Sequence, residues 1–435
     1  MKLNSVFVAP SLAFVLAALP FSRAADSAAL KFAFGSGSAP AGFTRVDTGD
    51  MFTKERGYGF ETGAAVVAAE RSITSESPFY FSARVPEEGN YRVTVTLGDT
   101  KAASVTTIKA ELRRLMVEKL ETAPGKFSTV SFIVNTRTPK IAAVGDIKPG
   151  EVRLKAPRET TQEAWAWDDL ITLEFNNAHP AVSTIEITKV DVPTIFLIGD
   201  STVCDQSREP FSSWGQSLTR FFKPVVAIAN HGESGETYRD SIGRRRLDKM
   251  LSVMKPGDVM IMQFGHNDQK QRGEGMGPFL NYKAEIKTHV EAVRAHGGIP
   301  VVVSPMERRG FDENGKVRRS LADYAEGARQ SAHELGAAFI DLNAMSVPFY
   351  EALGKDRAYL AFAGTGPNRD ATHHDNYGSY ELAKCILQGI RDNKLPIAKY
   401  IVDDFKGFDP AHPDNVDTFV LPPSPRFTNE RPLAD

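Results

Sequence analysis

Thr194-Ile195-Phe196-Leu197-Ile198-Gly199-Asp200-Ser201-Thr202 is the stretch on which the reading of the fold turns. A short apolar run, Thr194–Ile198, ends abruptly on glycine, aspartate and serine. That is the pattern of a strand buried on both faces and running into a tight turn. Four similar runs follow at Val225–Ala229, Asp258–Phe264, Ile299–Val303 and Ala338–Ile340. Between them, apolar residues recur at helical spacing. Trp214, Leu218, Phe221 and Phe222 sit at i, i+4, i+7 and i+8. Tyr282, Ile286, Val290 and Val293 mark a second helix closed by Gly297-Gly298. Tyr324, Ala328, Ala332 and Leu335 mark a third, and a last helix runs from about Tyr377 to Ile390. Buried runs alternating with helices predict βαβ units and an α/β fold with a parallel sheet. In such folds ligands bind beyond the carboxyl ends of the strands.

Upstream of Asp191-Val192-Pro193 the period changes to two. Phe79, Phe81, Ala83 and Val85 alternate with Tyr80, Ser82 and Arg84; Tyr91, Val93, Val95 and Leu97 alternate with Arg92, Thr94 and Thr96; Ile171, Leu173 and Phe175 alternate with Thr172 and Glu174. Turn residues such as Glu87-Glu88-Gly89-Asn90 and Pro149-Gly150 separate the runs. The region 27–190 therefore reads as an all-β sandwich. Val105–Glu121 fits strand or helix equally. Residues 1–24 read as a signal peptide: Lys2, an apolar stretch from Val6 to Phe21, then Ser22-Arg23-Ala24 as a cleavage site. The expected location is secreted or periplasmic. Residues 191–395 form the α/β unit. The tail 396–435, rich in Pro and Asp, is expected to wrap the surface or hang partly loose.

Composition narrows the partners. The chain has 435 residues, more than one ordinary core accommodates. Hydrophobic content is 42% and charged content 24%, ordinary for a globular protein. Against 54 acidic residues stand 52 basic ones, a net charge of -2. This gives no reason to expect nucleic acid or stable membrane association. Two cysteines, Cys204 and Cys385, are compatible with a disulfide in an exported protein or with two free buried thiols.

Four motifs share one placement, each after a predicted strand or before a helix. They are Gly199-Asp200-Ser201-Thr202, Asn230 to Gly235, Gly265-His266-Asn267-Asp268 and Asp370-Ala371-Thr372-His373. All four should open on one edge of the sheet, and the chemistry that suits them is acyl transfer. A serine hydroxyl needs an adjacent base to become a nucleophile. Histidine is the usual base, held in its tautomer by a carboxylate. Ser201, His373 and Asp370 supply these groups, with Asp370 three residues before the histidine in one compact loop. An oxyanion needs donors already in place. The N–H of Ser201, at a strand-to-helix turn, the N–H of Gly235 and the side chain of Asn267 are the candidates. Gly232 rivals Gly235.

These four blocks resemble those of the SGNH (GDSL-type) hydrolases. The strings Gly199-Asp200-Ser201-Thr202-Val203, Phe264-Gly265-His266-Asn267-Asp268 and Asp370-Ala371-Thr372-His373 are similar to the rhamnogalacturonan acetylesterase family in particular, over roughly 194–395. Ser304-Pro305 through Arg308-Arg309 fits as well. The resemblance implies a flavodoxin-like sheet and a cofactor-free carbohydrate acetylesterase acting on acetylated plant cell-wall polysaccharide of the pectin, rhamnogalacturonan or xylan type. It also implies that Asn230 keeps its spacing to Gly235 as the oxyanion glycine. One departure bears on substrate contacts: the family commonly has Arg-Ser after that glycine, and this chain has Glu236-Thr237.

Several residues have two readings. His266 orients a loop or lines the site. Arg308 and Arg309 bind an acidic sugar or are solvated, and His374 packs under its loop or touches substrate. Asp268 bonds loop backbone. Trp165 and Trp167 stack on sugar or staple the domain junction. His373-His374-Asp375 lacks the spacing of a metal site, so no metal is expected. Competing functions are a lipase or thioesterase on the same fold, and a non-catalytic glycan-binding protein. The polar, glycine-rich loop 269–279 and the intact set of four residues argue against these. All four motifs lie beyond Val190, so the sandwich should contribute no catalytic group, and a fragment 191–435 should cleave small esters if it folds.

Overall fold

The computed structural model describes Met1 and residues 29–366, 369–428 and 430–432. Apart from Met1, the expected signal segment lies outside the described residues. Five strands, Thr194–Gly199, Ala227–Asn230, Val259–Gln263, Ile299–Val303 and Ala338–Ile340, form an all-parallel sheet. Their spatial order is second, first, third, fourth, fifth, the flavodoxin-like order. Both faces are covered, as the unbroken apolar runs require. Ile195 and Leu197 pack with Trp214, Leu218, Leu382 and Ile386 on one side. Phe196 and Ile198 pack with Tyr282, Ile286, Tyr324 and Ala328 on the other. The covering helices include Asn281–Ala295, Ala322–Glu334 and Asn376–Asp392. A helix at Leu342–Leu353 was not apparent from periodicity, because Pro348 interrupts it; the Asp341 carboxylate caps it by accepting from Ala344 N at 3.0 Å.

The preceding region is a sandwich. One sheet contains Ser128–Thr136, Gly89–Leu97, Ala181–Lys189, Leu30–Phe34 and Thr44–Val46 in that order, and the other Tyr58–Phe60, Phe79–Arg84, Leu170–Asn176, Ser104–Ala110 and Arg114–Thr122. Phe79, Phe81, Val93, Val95, Leu173 and Phe175 fill the space between them. Burying each such side chain contributes about 1.5–3 kcal/mol. The ambiguous segment is two antiparallel strands. Glu111 and Arg113, with φ of 55° and 64°, make the reversal between them, a conformation that helical periodicity does not register.

Of the two expectations for the tail, wrapping the protein is the one that the described residues follow. After the turn of helix at Pro396–Tyr400 it runs back to the sandwich, where Ser424 is buried. Its hydroxyl donates to Glu174 Oε2 at 2.7 Å and accepts from Lys109 Nζ at 2.8 Å, and Lys109 also reaches Pro422 O at 2.8 Å. A polar composition hides this anchoring because its partners are buried charges some 250–315 residues away in sequence. More buried ion pairs cross between sandwich and α/β unit: Arg113–Glu209 at 2.6 Å, Arg114–Asp205 at 2.7 Å and Arg246–Glu159 at 2.6 Å. Trp165 and Trp167 belong to this junction. Arg426 lies 3.5 Å above the Trp165 ring, and Trp167 is buried under Arg137 with its Nε1 donating to Glu159 at 3.0 Å. Cys204 and Cys385 are both free and buried.

Candidate active site

Ser201 stands just past the end of the first parallel strand. Gly199 lets the chain bend there, since a Cβ at this position would lie 2.4 Å from both Gln263 O and Val203 Cγ2. The turn is closed by Asp200. Its carbonyl accepts from Val203 N and Cys204 N at 3.0 Å each, and its Oδ1 accepts from Thr202 N and Oγ1 at 2.9 and 2.7 Å. No helix follows directly, so the helix N-terminus expected behind Ser201 N–H is replaced by this turn. Asp205, tied to Arg114 and to Asn230 Nδ2 at 2.8 Å, leads the chain sideways, and helix resumes only at Trp214. Gln206 Nε2 donates to Ser201 O at 2.7 Å, fixing the residue further.

The last loop brings base and carboxylate to this hydroxyl. His373 Nε2 lies 2.8 Å from Ser201 Oγ, and His373 Nδ1 lies 3.1 Å from Asp370 Oδ2. The other carboxylate oxygen accepts from Thr372 N at 2.6 Å and His373 N at 2.9 Å. Burial raises the Asp370 pKa, but these bonds and the imidazole outweigh it and hold the carboxyl well below the ordinary range. Asp370 is thus ionised and oriented, which fixes Nδ1 as the protonated nitrogen and leaves Nε2 to accept the serine proton.

The oxyanion candidates meet nearby. Asn267 Nδ2 donates to Glu236 O at 3.1 Å, tying the third-strand loop to the residue after Gly235. Gly235 has φ of +74°, in the left-handed region. Among the described residues, neither Ser201 N–H nor Gly235 N–H donates to a protein group. The rival Gly232 N–H is already taken by Asn230 Oδ1 at 3.1 Å, so Gly235 is the available glycine.

Glu236, the departure noted above, turns inward. Both its oxygens are 2.9 Å from Arg246 Nε, in a fully buried pair. Thr237 caps the following helix through Asp240. Arg158 and Lys155, from the end of the sandwich region, hold this loop from behind, Arg158 Nη2 donating to Ser234 Oγ at 2.9 Å and Lys155 Nζ to Ser234 O.

The residues with two readings, and Asp268, are placed as follows. His374 is buried with Nε2 2.8 Å from the Tyr350 hydroxyl, its ring stacked with Tyr350 and tilted against Phe362. Burial, with the neighbouring His373, pushes its pKa down to about 3, so its ring is neutral. Arg308 spans loops: it donates to Thr372 Oγ1 at 3.1 Å, to His266 O at 3.3 Å and to Gln269 Oε1. Arg309 donates to Arg369 O at 2.6 Å. His266 is buried beneath the nucleophile turn, its Nδ1 3.4 Å from Asp200 Oδ2. Asp268 Oδ1 accepts from Tyr238 N at 3.2 Å. His374, Arg308, Arg309 and Asp268 are thus bonded within the protein, whereas both ring nitrogens of His266 are buried without a hydrogen bond among the described residues. Among the described residues no three His, Cys, Asp or Glu side chains converge to hold a metal ion.

The sequence reading missed what lies beside the triad. Phe211 sets its ring edge-on to His373 at 5.9 Å, and Arg431 of the tail reaches to 3.6 Å from Asp370 Oδ2. Together with Arg158, Gln162 and Arg208 they wall a cavity of about 40 Å³.

The GDSL-like Lipase/Acylhydrolase family matches residues 197–373, a span that opens two residues before Gly199 and closes on His373. The rhamnogalacturonan acetylesterase RhgT of Bacillus subtilis (strain 168) is 33% identical over 219 residues, 48% of this chain and 94% of that protein. The chain belongs to the GDSL-like lipase/acylhydrolase family. A longer match to this acylhydrolase is the uncharacterized esterase YxiM of the same organism, 24% identical over 393 residues, 85% of this chain and 92% of that protein. The crystal structure of the Bacillus subtilis YxiM protein covers 85% of this chain and all of its own, with 22% identity and a TM-score of 0.46. Among the described residues no helix is long and apolar enough to cross a membrane.

Proposed function

We propose that this acylhydrolase is an exported carbohydrate acetylesterase that removes O-acetyl groups from plant cell-wall polysaccharide of the pectin, rhamnogalacturonan or xylan type, acting outside the cytoplasm. The observation that carries the reading is the unbroken relay Ser201 Oγ–His373 Nε2 at 2.8 Å and His373 Nδ1–Asp370 at 3.1 Å. Ser201 Oγ attacks the acetyl carbonyl while His373 takes its proton. Charge gathers on the carbonyl oxygen, where Ser201 N–H, Gly235 N–H and the Asn267 amide receive it. Collapse expels the sugar hydroxyl, which takes the proton from His373. Water, deprotonated by the same imidazole, then cleaves acetyl-Ser201 and releases acetate.

The similarity to a rhamnogalacturonan acetylesterase supports a pectin-type polymer. Acetate release from acetylated pectin, xylan and mannan, with p-nitrophenyl esters of increasing chain length alongside, tests this. Highest release from pectin and a preference for the acetyl ester are expected. A preference for long acyl chains, or glycan binding without any ester hydrolysis, would overturn it.

A further inference from the structure

A cavity of about 480 Å³ opens between the sandwich and the α/β unit. None of Ser201, His373, Asp370, Gly235 or Asn267 lines it. Its size falls within the roughly 300–1,000 Å³ of small-molecule sites. Glu87 and Asp191, both largely exposed, stand at its mouth.

The charges of the lining do not balance. Each of its three lysines has a carboxylate: Lys189 pairs with Glu87, Lys249 with Glu88 at 2.7 Å, and Lys255 with Asp191. Arg137 has none. It is 5% exposed, and among the described residues its guanidinium makes no hydrogen bond and no ion pair; Nε and Nη1 are wholly buried and unpartnered. The guanidinium lies over the Trp167 ring, 4.5 Å from its centroid. Of the two carboxylates whose charge reaches Arg137, Asp205 is engaged by Arg114 at 2.7 Å, and Glu111 accepts from Thr172 N at 3.2 Å with burial pushing its pKa well above the ordinary range. Burial and the positive Arg114 push the Arg137 pKa down to about 9, so the group still carries its charge at neutral pH. A buried, unpaired guanidinium is among the most unfavourable groups a fold can keep.

Two other lining groups are also buried without partners. They are Asn135 Oδ1, an acceptor, and His231 Nδ1. Burial and the nearby Arg137 hold His231 well below its ordinary pKa, so the ring is neutral and adds no second charge. The cavity thus offers one cation shaped for a carboxylate and two neutral positions shaped for hydroxyl groups.

We propose that this cavity is a second ligand site, separate from Ser201, that binds a small hydroxylated carboxylate of the uronic-acid class through Arg137. The carboxylate pairs with the guanidinium, and ligand hydroxyls meet Asn135 and His231. The assignment rests on the cavity alone and stands whether or not the hydrolytic reading does.

Isothermal titration of the full chain with sodium galacturonate, galactose and sodium acetate tests it, in wild type and Arg137→Met. Galacturonate binds wild type, acetate binds at least tenfold more weakly, and galactose does not bind. Arg137→Met loses at least tenfold in galacturonate affinity while keeping p-nitrophenyl acetate hydrolysis, which shows that the variant is folded. If Arg137→Met does not fold, Arg137→Lys, which keeps the charge without the planar fork, is expected to bind several-fold more weakly. Absence of galacturonate binding to wild type, or equal affinity in the variant that folds, overturns the proposal. So does acetate binding as tightly as galacturonate, or competitive inhibition of ester hydrolysis by galacturonate, which would place the ligand at Ser201.

Discussion

The imidazole of His374 sits 2.8 Å from the Tyr350 hydroxyl, turned into the core, while the ring one residue earlier faces Ser201. Adjacent histidines in an extended segment point to opposite sides, and here the two sides are core and nucleophile. His373→Ala should therefore lower kcat by several orders of magnitude. His374→Ala should leave kcat within about tenfold and instead destabilise the protein by about 1–3 kcal/mol, because it leaves the Tyr350 hydroxyl buried without its partner. Steady-state kinetics and denaturation midpoints of both variants separate the two effects. The opposite pattern would reverse the assignment of the base.

Ser201→Ala should remove turnover by on the order of 10⁴-fold or more while the melting temperature changes little, since nucleophile and base act as a unit. The side chain touches His373 but supports no backbone, so folding should be unaffected. Retention of more than a tenth of wild-type activity would mean that another group is the nucleophile.

Asn267→Ala should lower kcat roughly 10²–10³-fold with KM nearly unchanged, because the donor matters only once charge develops on oxygen. The same amide ties its loop to Glu236 O, so a modest loss of stability should accompany the rate effect. A rise in KM alone would make Asn267 a substrate contact.

The catalytic blocks were legible because each obeys a local rule. A strand buried on both faces is a continuous apolar run, and Ile299–Val303 and Ala338–Ile340 have the same limits in sequence and structure. Asp370 and His373 are close enough in sequence for spacing alone to relate them. The choice of Gly235 over Gly232 came from the resemblance, and its physical ground, that Asn230 Oδ1 takes the Gly232 N–H, leaves no local pattern. Phe211, Arg158 and Arg431 approach the site from three distant segments. Such contacts leave no period and no motif. Arg308 kept two readings because a guanidinium reads the same whether its acceptors are a ligand, water or the protein's own loops.

The carboxyl of Glu233 supplies a pH prediction. Burial, reinforced by the nearby charges of Glu163 and Glu159, pushes its pKa well above the ordinary range. In the unfolded chain the group titrates near 4.3. Above that pH the folded state holds a proton that the unfolded state has released, so stability falls as pH rises toward the folded value. Glu233→Gln copies the protonated form and removes that slope. The variant should gain on wild type from pH 5 to pH 8 in denaturation experiments. Parallel pH profiles would show that Glu233 is ionised in the fold, paired with Arg158 3.3 Å away.

A fragment 191–435 contains every catalytic block, and the sequence suggested that it should work alone. The junction argues otherwise. Removing the sandwich strips Arg114 from Asp205, Arg113 and Lys109 from Glu209, and Glu159 from Arg246. Each of these charges is buried, and losing one partner of a buried pair costs about 3–5 kcal/mol. Two such losses approach or exceed the roughly 5–15 kcal/mol by which a domain is stable. Water reaching the newly exposed surface recovers part of that, but the same cut also removes Lys155 and Arg158 from behind Ser234, one residue from Gly235. It further removes the Lys109 and Glu174 groups that hold Ser424, and with them the anchor of the tail that carries Arg431 to Asp370. The fragment should therefore show a broad or absent melting transition by circular dichroism, and should hydrolyse p-nitrophenyl acetate at least tenfold more slowly than the full chain. A fragment that melts cooperatively within a few degrees of the full chain and keeps its kcat would show that the junction charges are solvated on separation at little cost, and that the sandwich does not support the site.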